Sequence, residues 1–387
     1  MCRCFHLNIV LLIIYYLIAV ASSEDNVNEL NKGVIFLRSF DDVDVEHSDD
    51  PCSPFSPKLP DFRATGRPVS EVKCFEYVWR AKLGMINLDQ ELQCFSKKNK
   101  NFGKHRILGG LNATLSDFSH MAALGWKAVN GSWIFQCGGS LISNKFVLTA
   151  AHCASVPRGD SNIMDLEPKI VRLGVVTLYN HTIKFSNEPK LPNDATIKRI
   201  VTHPQYRSPR KYYDIALIEL EKEIDFQWIL HPSCLHTSFD VPDMVSVTGW
   251  GVTDLVTSRT SPTLQVAQLN VIESTTCDTL LNLKHNRHWE GVAQHQVCAG
   301  HLAGGIDACQ GDSGGPLQYL IGKNLGPKRP PNTWTVHRIV GVTSFGYKCG
   351  LANTPGVYTR VASFAGWIES IVWPDDYDAS SRIIFPD

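Results

Sequence analysis

Residues Asp307 to Pro316 read DACQGDSGGP, which places Ser313 among glycines, with one aspartate directly before it and another six residues before it. Gly and Asp are common turn formers, so this composition by itself would indicate only a loop. A serine hydroxyl becomes an effective nucleophile when a base lies within hydrogen-bond reach and a third group orients that base. If this segment is a reactive site, the chain must also offer a suitable histidine and carboxylate.

Two other segments supply such groups. Of the 14 histidines, His152 alone lies in the sequence TAAHC. Asp214 begins DIALIEL, where it stands at the mouth of an apolar run. A carboxylate in that position is costly to bury unless it has a hydrogen-bond partner, and an imidazole N–H is a suitable one. His152, Asp214 and Ser313 are therefore candidates for nucleophilic catalysis.

The segments that must position these residues have the pattern of short strands. Trp133, Phe135 and Cys137 alternate with other residues, as in a strand with one buried face. Apolar runs at 146–148 and 215–218 indicate buried strands. Repeated short strands over about 260 residues predict paired sheets or barrels. Near the C-terminus, an apolar stripe at helical spacing predicts one helix whose core face is Phe364, Trp367, Ile368 and Ile371.

TAAHC, DIALIEL and GDSGGP, in this order, resemble the motifs of the chymotrypsin/trypsin family of serine proteases. The resemblance covers residues 107 to about 373 and implies an all-β fold of two antiparallel six-stranded β-barrels with a C-terminal helix. It implies that His152 is the general base and then the general acid, and that Asp214 orients it. Ser313 would attack the scissile carbonyl, and the N–H groups of Gly311 and Ser313 would form the oxyanion hole.

The same resemblance implies an activation site, because this family is made as zymogens. Cleavage before an Ile-Val/Leu-Gly-Gly sequence frees an α-amino group, which pairs with the aspartate preceding the serine. The matching bond here is Arg106–Ile107, and the matching carboxylate is Asp312. An ammonium beside a buried carboxylate can order the pocket, because an unpaired buried charge would cost several kcal/mol. The basic residue before the bond favours a trypsin-like activator.

The resemblance also predicts the primary specificity. Asp307 falls at the base of the family's specificity pocket, and Gly346 and Gly356 match two wall positions that glycine leaves open. An acid at the bottom of an open, partly dry slot favours Arg or Lys side chains of the substrate. Phe345 stands where the family commonly has Trp, so the preference of the neighbouring subsites is left open.

Disulfide pairings come from the resemblance as well. In relatives, the cysteine at Cys234 bonds to the pro-region, so that cleavage leaves two chains joined. Cys94, shortly before the cut, is the preferred partner, which leaves Cys52–Cys74 as the remaining pair. Other pairings stay open, because sequence alone fixes no connectivity. The further pairs implied are Cys137–Cys153, Cys277–Cys298 and Cys309–Cys349.

The N-terminus is typical of a secreted protein. The apolar run from Ile9 to Ala21 ends in small residues and is shorter than the ~20 residues that a membrane span needs. Residues 1–21 are therefore predicted to be a signal peptide, and the cysteines that remain are even in number, as expected in an oxidising compartment. The net charge of −1 does not suggest nucleic acid or an anionic membrane as a partner. Sequons that agree with secretion are found at Asn112, Asn130 and Asn180.

Residues 22–106 form a pro-region that differs from the rest of the chain. The acidic stretch Asp41–Asp50 and the prolines after it bury little, so the pro-region is predicted to be largely irregular. RPVSEVKCFEYV in the pro-region and HMAALGW after the activation site resemble arthropod clip-domain serine proteases, cascade enzymes of immunity and development. Intact clip domains have more cysteines than are present here. The segment is either a reduced clip domain or the linker that normally follows one.

Two segments have no assigned role. Gly322–Thr333 is an insertion rich in Pro, Lys and Arg, which is either a tolerated surface loop or a restriction on macromolecular substrates. The C-terminal tail, residues 374–387, follows the protease domain, which is expected to span residues 107–373.

The leading hypothesis is a secreted serine endopeptidase zymogen that is activated by cleavage after Arg106 and hydrolyses peptide bonds after Arg or Lys in an extracellular cascade. Its partners would be a protein substrate such as a downstream zymogen, an upstream activating protease and a serpin-type inhibitor. The chemistry requires no metal or organic cofactor. Two alternatives are a non-catalytic homologue acting as a regulatory binding protein, disfavoured because no triad residue is missing, and a digestive or venom trypsin.

Overall fold

The computed structural model describes residues 50–53, 56–98, 117–156, 161–179, 193–226, 230–254, 259–305, 309, 311–321, 335–347 and 349–378. Several sequence assignments lie outside these residues. They are the signal peptide, the Arg106–Ile107 bond, Asp307, the insertion Gly322–Thr333, and the sequons at Asn112 and Asn180.

The strands between residues 121 and 220 form a closed antiparallel barrel. Its strands are β1 Met121–Lys127, β2 Trp133–Leu141, β3 Phe146–Thr149, β4 Ile170–Leu173, β5 Asn193–Thr202 and β6 Ala216–Leu220. They pair in the order β1-β2-β3-β6-β5-β4, and the ends of this order meet where β1 pairs with β4. The apolar runs at 146–148 and 215–218 lie in or beside β3 and β6 and are buried, as predicted.

The second half forms another barrel. Its strands are β7 Cys234–Leu235, β8 Met244–Gly249, β9 Val252–Asp254, β10 Arg259–Thr260, β11 Gln265–Ile272, β12 Gln296–Gly300, β13 Pro316–Ile321, β14 Val336–Phe345 and β15 Gly356–Arg360. Six of them close in the order β8-β11-β12-β15-β14-β13, because β13 pairs with both β14 and β8. β7 joins β14 as a parallel neighbour, and β9 pairs with β10. The predicted all-β fold of two six-stranded barrels is confirmed.

The described part of the chain also contains the α-helices α1 Val69–Lys98, α2 Ser274–Leu281 and α3 Ala365–Val372, and residues 374–378 after α3 are helical as well. The predicted C-terminal helix is α3 with the 3₁₀ turn Val361–Phe364 before it. Phe364 and Ile368 are buried in the core of the first barrel, and Trp367 and Ile371 pack against that core. The predicted apolar stripe is therefore the face that packs this helix against the core of the first barrel.

α1 belongs to the pro-region and is a 30-residue helix that the sequence analysis did not predict. Residues 56–68 before it are irregular, as expected. The N-terminal half of α1 packs on the second barrel, where Phe75 and Val78 share an apolar cluster with Ile321 of β13 and Val336 of β14. Beyond Ala81 the helix is half-buried as far as residue 88, and from Asp89 to Lys98 it is mostly exposed.

Polar contacts fix the same half of α1. Glu71 pairs with Arg338 of β14 at 2.6 Å. The buried Glu369 carboxylate of α3 accepts hydrogen bonds from the Ser70 backbone N–H at 3.0 Å and the Ser70 hydroxyl at 2.5 Å. A carboxylate at the start of a helix satisfies N–H groups that have no partner within the helix. The pro-region is thus joined to both the second barrel and the C-terminal helix.

The disulfides of the pro-region differ from the preferred pairing. Cys74 bonds to Cys234, with 5.0 Å between their Cα atoms, and Cys52 bonds to Cys94. The expectations of Cys94–Cys234 and Cys52–Cys74 were wrong. The helix explains why: Cys74 lies on the buried face of α1 beside β7, whereas Cys94 lies 20 residues further along the same helix, which is about 30 Å along its axis.

Candidate active site

Strand pairing in the first barrel brings His152 and Asp214 together. Thr149 ends β3 and is paired with Ala216, which begins β6. His152 lies three residues after Thr149, in a 3₁₀ turn, and Asp214 lies two residues before Ala216. In an antiparallel pair, the end of one strand and the start of the other lie at the same edge. Both side chains therefore leave the barrel at one edge, although 62 positions separate them in sequence.

Asp214 is buried, with 1% of its surface exposed, and its carboxylate accepts three hydrogen bonds. Its Oδ1 accepts the His152 backbone N–H at 2.8 Å, and its Oδ2 lies 2.7 Å from His152 Nδ1. The Ser344 hydroxyl donates to Oδ2 at 2.5 Å. Burial alone would raise the pKa of Asp214, but the His152 charge and these hydrogen bonds outweigh it and hold the pKa below its usual range.

This pairing sets the tautomer of His152. With Nδ1 donating to Asp214, Nε2 is left as the acceptor in the neutral ring. About a third of the His152 side chain (29%) is exposed, toward the cleft that also contains Ser313. No hydrogen bond joins His152 Nε2 to the Ser313 hydroxyl in the described structure, and bonds of this kind often tighten only when substrate is bound.

The second barrel and β2 position Ser313. Gly314 N–H donates to Thr343 O of β14 at 2.8 Å, and Gly138 N–H of β2 donates to Ser313 O at 2.8 Å. Gly314 has a positive φ of 76°, and a Cβ there would collide with Thr149 Oγ1. Only glycine fits this turn, which explains the residue that follows the serine. Ser313 is thus attached to both barrels through its backbone.

Gly311 and Ser313 present a pair of backbone donors beside the serine hydroxyl. Gly311 has a φ of 101°, a conformation open mainly to glycine. Neither its N–H nor that of Ser313 donates to any residue that the structure describes. Two unengaged donors in a tight loop suit an oxygen that gains negative charge during acyl transfer.

Asp312 points away from this cleft, into the second barrel. Its Oδ1 accepts the Gly251 N–H and its Oδ2 accepts the Cys309 N–H, each at 2.8 Å. A Cβ at Gly249 or Gly251 would collide with the carboxylate, so these glycines make room for it. Burial raises the pKa of Asp312 and outweighs these two hydrogen bonds, which lower it. Within the described ranges no cationic group pairs with Asp312, so the site is suited to accept one.

The cleft has a volume of about 350 Å³. The structure brings His152, Ser313 and the three predicted wall residues Phe345, Gly346 and Gly356 to its lining. A Cβ at Gly346 would meet no atom within 4 Å, so this wall is open, as the specificity hypothesis requires. Asp307, which is predicted to lie at the bottom of this pocket, is outside the described residues.

Three residues of the site were missed in the sequence. Ser344 donates to Asp214, and Tyr347 and Lys211 line the cleft. Lys211 Nζ lies 5.6 Å from the centre of the Phe345 ring, and no described carboxylate lies within ion-pair distance of it. Their closeness in sequence to candidate site residues could have indicated two of them. Lys211 precedes Asp214 by three positions, and Ser344 directly precedes Phe345.

Three disulfides brace the site as expected. Cys137–Cys153 links β2 to the turn of His152, and Cys309–Cys349 lies at the cleft. Cys277–Cys298 joins α2 to β12. The sulfurs of Cys137 and Cys153 lie near His152 in the one described cluster with the spacing of metal ligands. Because the disulfide occupies both sulfurs, this cluster does not form a thiolate metal site.

A family model described as Trypsin matches residues 107–368, the range that contains both barrels and all three residues of the candidate triad. The chain belongs to the trypsin family. The motifs TAAHC, DIALIEL and GDSGGP, which resemble those of this family, therefore lie within the two-barrel fold that positions the candidate triad.

Curated relatives of this trypsin-family chain include arthropod proteases. Serine protease snk of Drosophila melanogaster is 37% identical, over 81% of this chain and 67% of its own length. Clotting factor G beta subunit of Tachypleus tridentatus is 35% identical, over 69% of this chain and 80% of its own length. CLIP domain-containing serine protease C9 of Anopheles gambiae is 32% identical, over 72% of this chain and 70% of its own length. The predicted resemblance to arthropod cascade proteases is confirmed. In the described part of the chain, no helix has the length and apolar character to cross a bilayer.

Proposed function

We propose that this trypsin-family protein is a secreted endopeptidase zymogen that, once activated, cleaves proteins after Arg or Lys in an extracellular cascade. The observation that supports it most is the arrangement around one cleft. Asp214 holds His152 with Nε2 available, and Ser313 lines the same cleft as His152. The N–H groups of Gly311 and Ser313 donate to no described residue, which supports their role as an oxyanion hole.

The geometry suits acyl transfer. Ser313 Oγ attacks the scissile carbonyl carbon while His152 Nε2 takes the hydroxyl proton, and Asp214 stabilises the resulting imidazolium. The carbonyl oxygen becomes an oxyanion and accepts the N–H groups of Gly311 and Ser313. His152 returns the proton to the leaving amine, which departs and leaves an acyl-enzyme. A water molecule, deprotonated by His152, then attacks the acyl carbon and restores the free serine.

We assign selection of the substrate side chain to the end of the cleft where Asp307 is predicted to lie. Asp307 would pair with the guanidinium or ammonium of the substrate side chain, and the open walls at Gly346 and Gly356 would admit its length. Phe345 provides an apolar surface beside it.

Activation is assigned to cleavage of the Arg106–Ile107 bond. The new α-amino group of Ile107 would pair with Asp312, whose half-buried carboxylate has two neutral donors and no described cation as partners. A full positive charge there would favour the ionised carboxylate and stabilise the loop that contains Gly311 and Ser313.

The surrounding context supports a cascade enzyme. The Cys74–Cys234 bond would keep the pro-region attached after cleavage, which suits a regulated enzyme better than a digestive one. The relatives named as a clotting factor subunit and a CLIP domain-containing protease support a protein substrate and an upstream activating protease as partners. A serpin-type inhibitor remains part of the proposal without support from these names. Asn130 is exposed in the turn between β1 and β2, where it is accessible for glycosylation. The proposed segments are 1–21 signal peptide, 22–106 pro-region, 107–373 protease domain and 374–387 tail.

The test uses the purified full chain cut after Arg106. Wild type is expected to hydrolyse Arg and Lys amides, whereas Ser313→Ala, cut in the same way, is expected to lose at least about 10³-fold in kcat. Arg106→Gln should remain uncut and inactive. Equal rates for wild type and Ser313→Ala would instead favour the non-catalytic homologue.

A second variant tests specificity separately. Asp307→Ser should lose the preference for Arg and Lys while it retains turnover of substrates with small apolar side chains. Undiminished Arg and Lys preference in this variant would remove Asp307 from the pocket and leave the catalytic assignment intact.

A further inference from the structure

Tyr213, directly before Asp214, has an unusual backbone conformation. Its φ is 56°, in the left-handed region. Residues with a Cβ rarely adopt this region, and bulky ones do so only when their surroundings hold them there. Since the direction of the chain at Tyr213 sets where Asp214 points, the groups that hold Tyr213 also position the candidate triad.

Two histidines hold the Tyr213 side chain between them. The His203 ring is stacked on it with 5.4 Å between ring centres and 7° between planes. The His295 ring is stacked with 4.3 Å between centres and 19° between planes. Phe364 meets both histidines edge-on, and Trp367 meets His203 in the same way. The stack therefore joins three separate parts of the chain around one ring.

Hydrogen bonds fix the backbone on either side of this stack. Tyr213 N–H donates to His295 Nε2 at 3.3 Å. Ile215 N–H donates to Tyr213 O at 2.9 Å, and His203 N–H donates to Ile215 O at 3.0 Å. A ring nitrogen accepts an N–H only when it bears no proton. The bond to Tyr213 therefore requires the neutral form of His295, with its proton on Nδ1.

We propose that His295 is a positioning residue for the triad: its neutral imidazole holds Tyr213 in the left-handed conformation that directs Asp214 at His152, and protonation of His295 releases this hold and lowers turnover. The proposal rests on the proposed protease function, because its effect is on the turnover of Ser313.

The surroundings of His295 favour the neutral ring. Burial lowers the pKa of His295, and the nearby His203 lowers it further. Burial likewise lowers the pKa of His203. The carboxylate of Asp214 is already engaged by His152 and Ser344. The titratable or charged groups on the elements around His295 are His203, Lys211, Tyr212, Asp214 and Arg360, with His288 and Glu290 on its own loop.

The sign of the pH effect follows from these contacts. In the folded protein the neutral ring is favoured, so the hydrogen bond to Tyr213 is fully present at neutral and alkaline pH. It is lost as the pH falls through the lowered pKa of His295. Turnover should therefore fall by an additional factor at low pH, as His295 becomes protonated.

The test is the pH profile of kcat/KM for an Arg amide, measured on chains cut after Arg106. As the pH falls, wild type should lose about tenfold more of its kcat/KM than a variant that keeps an acceptor for the Tyr213 N–H. His295→Gln offers an amide oxygen that accepts an N–H at every pH, so kcat at pH 8 should stay near wild type and this additional loss at low pH should be absent. The matched control is His288→Gln, on the same loop, which should keep the wild-type profile.

A double-mutant cycle separates positioning from general packing. His295→Phe keeps a stacked ring without an acceptor, so kcat should fall about tenfold at pH 8 while KM for the small amide stays constant. Asn tolerates the left-handed region, so in a Tyr213→Asn background the further change His295→Phe should have little effect on kcat.

The outcomes distinguish the two proposals. Equal losses of kcat/KM at low pH in wild type and His295→Gln overturn the role of His295. A tenfold loss from His295→Phe that persists in the Tyr213→Asn background also overturns it, because the ring would then act through packing. If wild type itself shows no turnover that depends on Ser313, the proposed protease function fails instead. Circular dichroism at each pH confirms that the measured rates are those of folded protein.

Discussion

At the residue scale, Asp214 shows how a buried charge becomes useful. Water is excluded from it, yet three donors point at its two oxygens. Removing one hydrogen-bond donor from a buried carboxylate destabilises the protein. Replacing one carboxylate oxygen with an amide nitrogen turns an acceptor into a donor and reverses the direction of the hydrogen bond at that atom. The identity of this residue was evident from its position before an apolar strand, but the third donor, Ser344, was evident only from the fold.

Asp214→Asn should reduce kcat by about 10⁴-fold, because the amide nitrogen would force His152 to present Nδ1 as the acceptor, which protonates Nε2. Steady-state hydrolysis of an Arg amide at pH 8 measures this loss. Ser344→Ala removes one donor and leaves the tautomer, so it should cost only about tenfold. A loss below tenfold for Asp214→Asn would contradict its assigned role.

Lys211 is expected to influence the choice of protein substrate. Its ammonium lies at the cleft over the Phe345 ring, without a described acidic partner. A substrate carboxylate near the scissile bond could therefore pair with it. Lys211→Gln should lower kcat/KM about three- to tenfold for peptides with Asp or Glu near the cleaved Arg, and leave neutral peptides unchanged. Equal effects on both peptide sets would exclude this pairing.

At the element scale, α1 is a pro-region helix attached like a part of the protease domain. Apolar residues follow one another at helical spacing in its first half, Val72, Phe75 and Val78 among them. This periodicity was the signal that could have predicted the helix. What it could not show is the surface that α1 covers, because Ile321, Val336 and Glu369 are distant in sequence.

Cys74→Ala with Cys234→Ala tests whether the contacts of α1 suffice without the disulfide. After cleavage at Arg106, the pro-region should still co-elute with the protease domain in native buffer, since the apolar cluster and the Glu71–Arg338 pair remain. Moderate guanidinium should release it, because the covalent link is gone. Size-exclusion chromatography followed by gel electrophoresis measures both results.

The matched control for that experiment is Cys52→Ala with Cys94→Ala. This variant keeps the Cys74–Cys234 link, so the two chains should stay joined in guanidinium until a reductant is added. Release of the pro-region from the Cys74/Cys234 variant in native buffer would show that the disulfide alone retains it.

At the scale of the whole molecule, buried histidines link stability to pH. Burial lowers the pKa of His120 to about 3 and that of His231 to about 4. In the unfolded chain both would titrate near about 6.5. The unfolded state then binds more protons below this value, so the protein loses stability as the pH falls from about 6.5, by about 2 kcal/mol per histidine at pH 5.

His120→Leu should reduce this pH dependence. Guanidinium unfolding at pH 7.5 and pH 5 should show a difference in unfolding free energy that is smaller than in wild type by about 2 kcal/mol. His301→Gln, an exposed histidine, should leave the difference unchanged. An unaltered difference in His120→Leu would show that His120 is not held neutral by burial.

The sequence by itself determined the fold class and the candidate catalytic residues. TAAHC, DIALIEL and GDSGGP are local patterns of residue type, and the alternating and apolar runs around them reflect burial within single strands. Properties that depend on neighbours along the chain were therefore predicted correctly, including the C-terminal helix. Three of the disulfides were also predicted correctly, but from the family resemblance rather than from local patterns.

Only the tertiary structure decided which distant groups meet. The partner of Cys74 lies 160 residues away, and the two rings that hold Tyr213 come from the end of β5 and the loop before β12. No local pattern encodes such pairs, because their proximity results from the closure of the two barrels and the docking of α1 and α3 on them. The position of Asp214 against His152 depends on the same closure, although the identity of both residues was evident from the sequence.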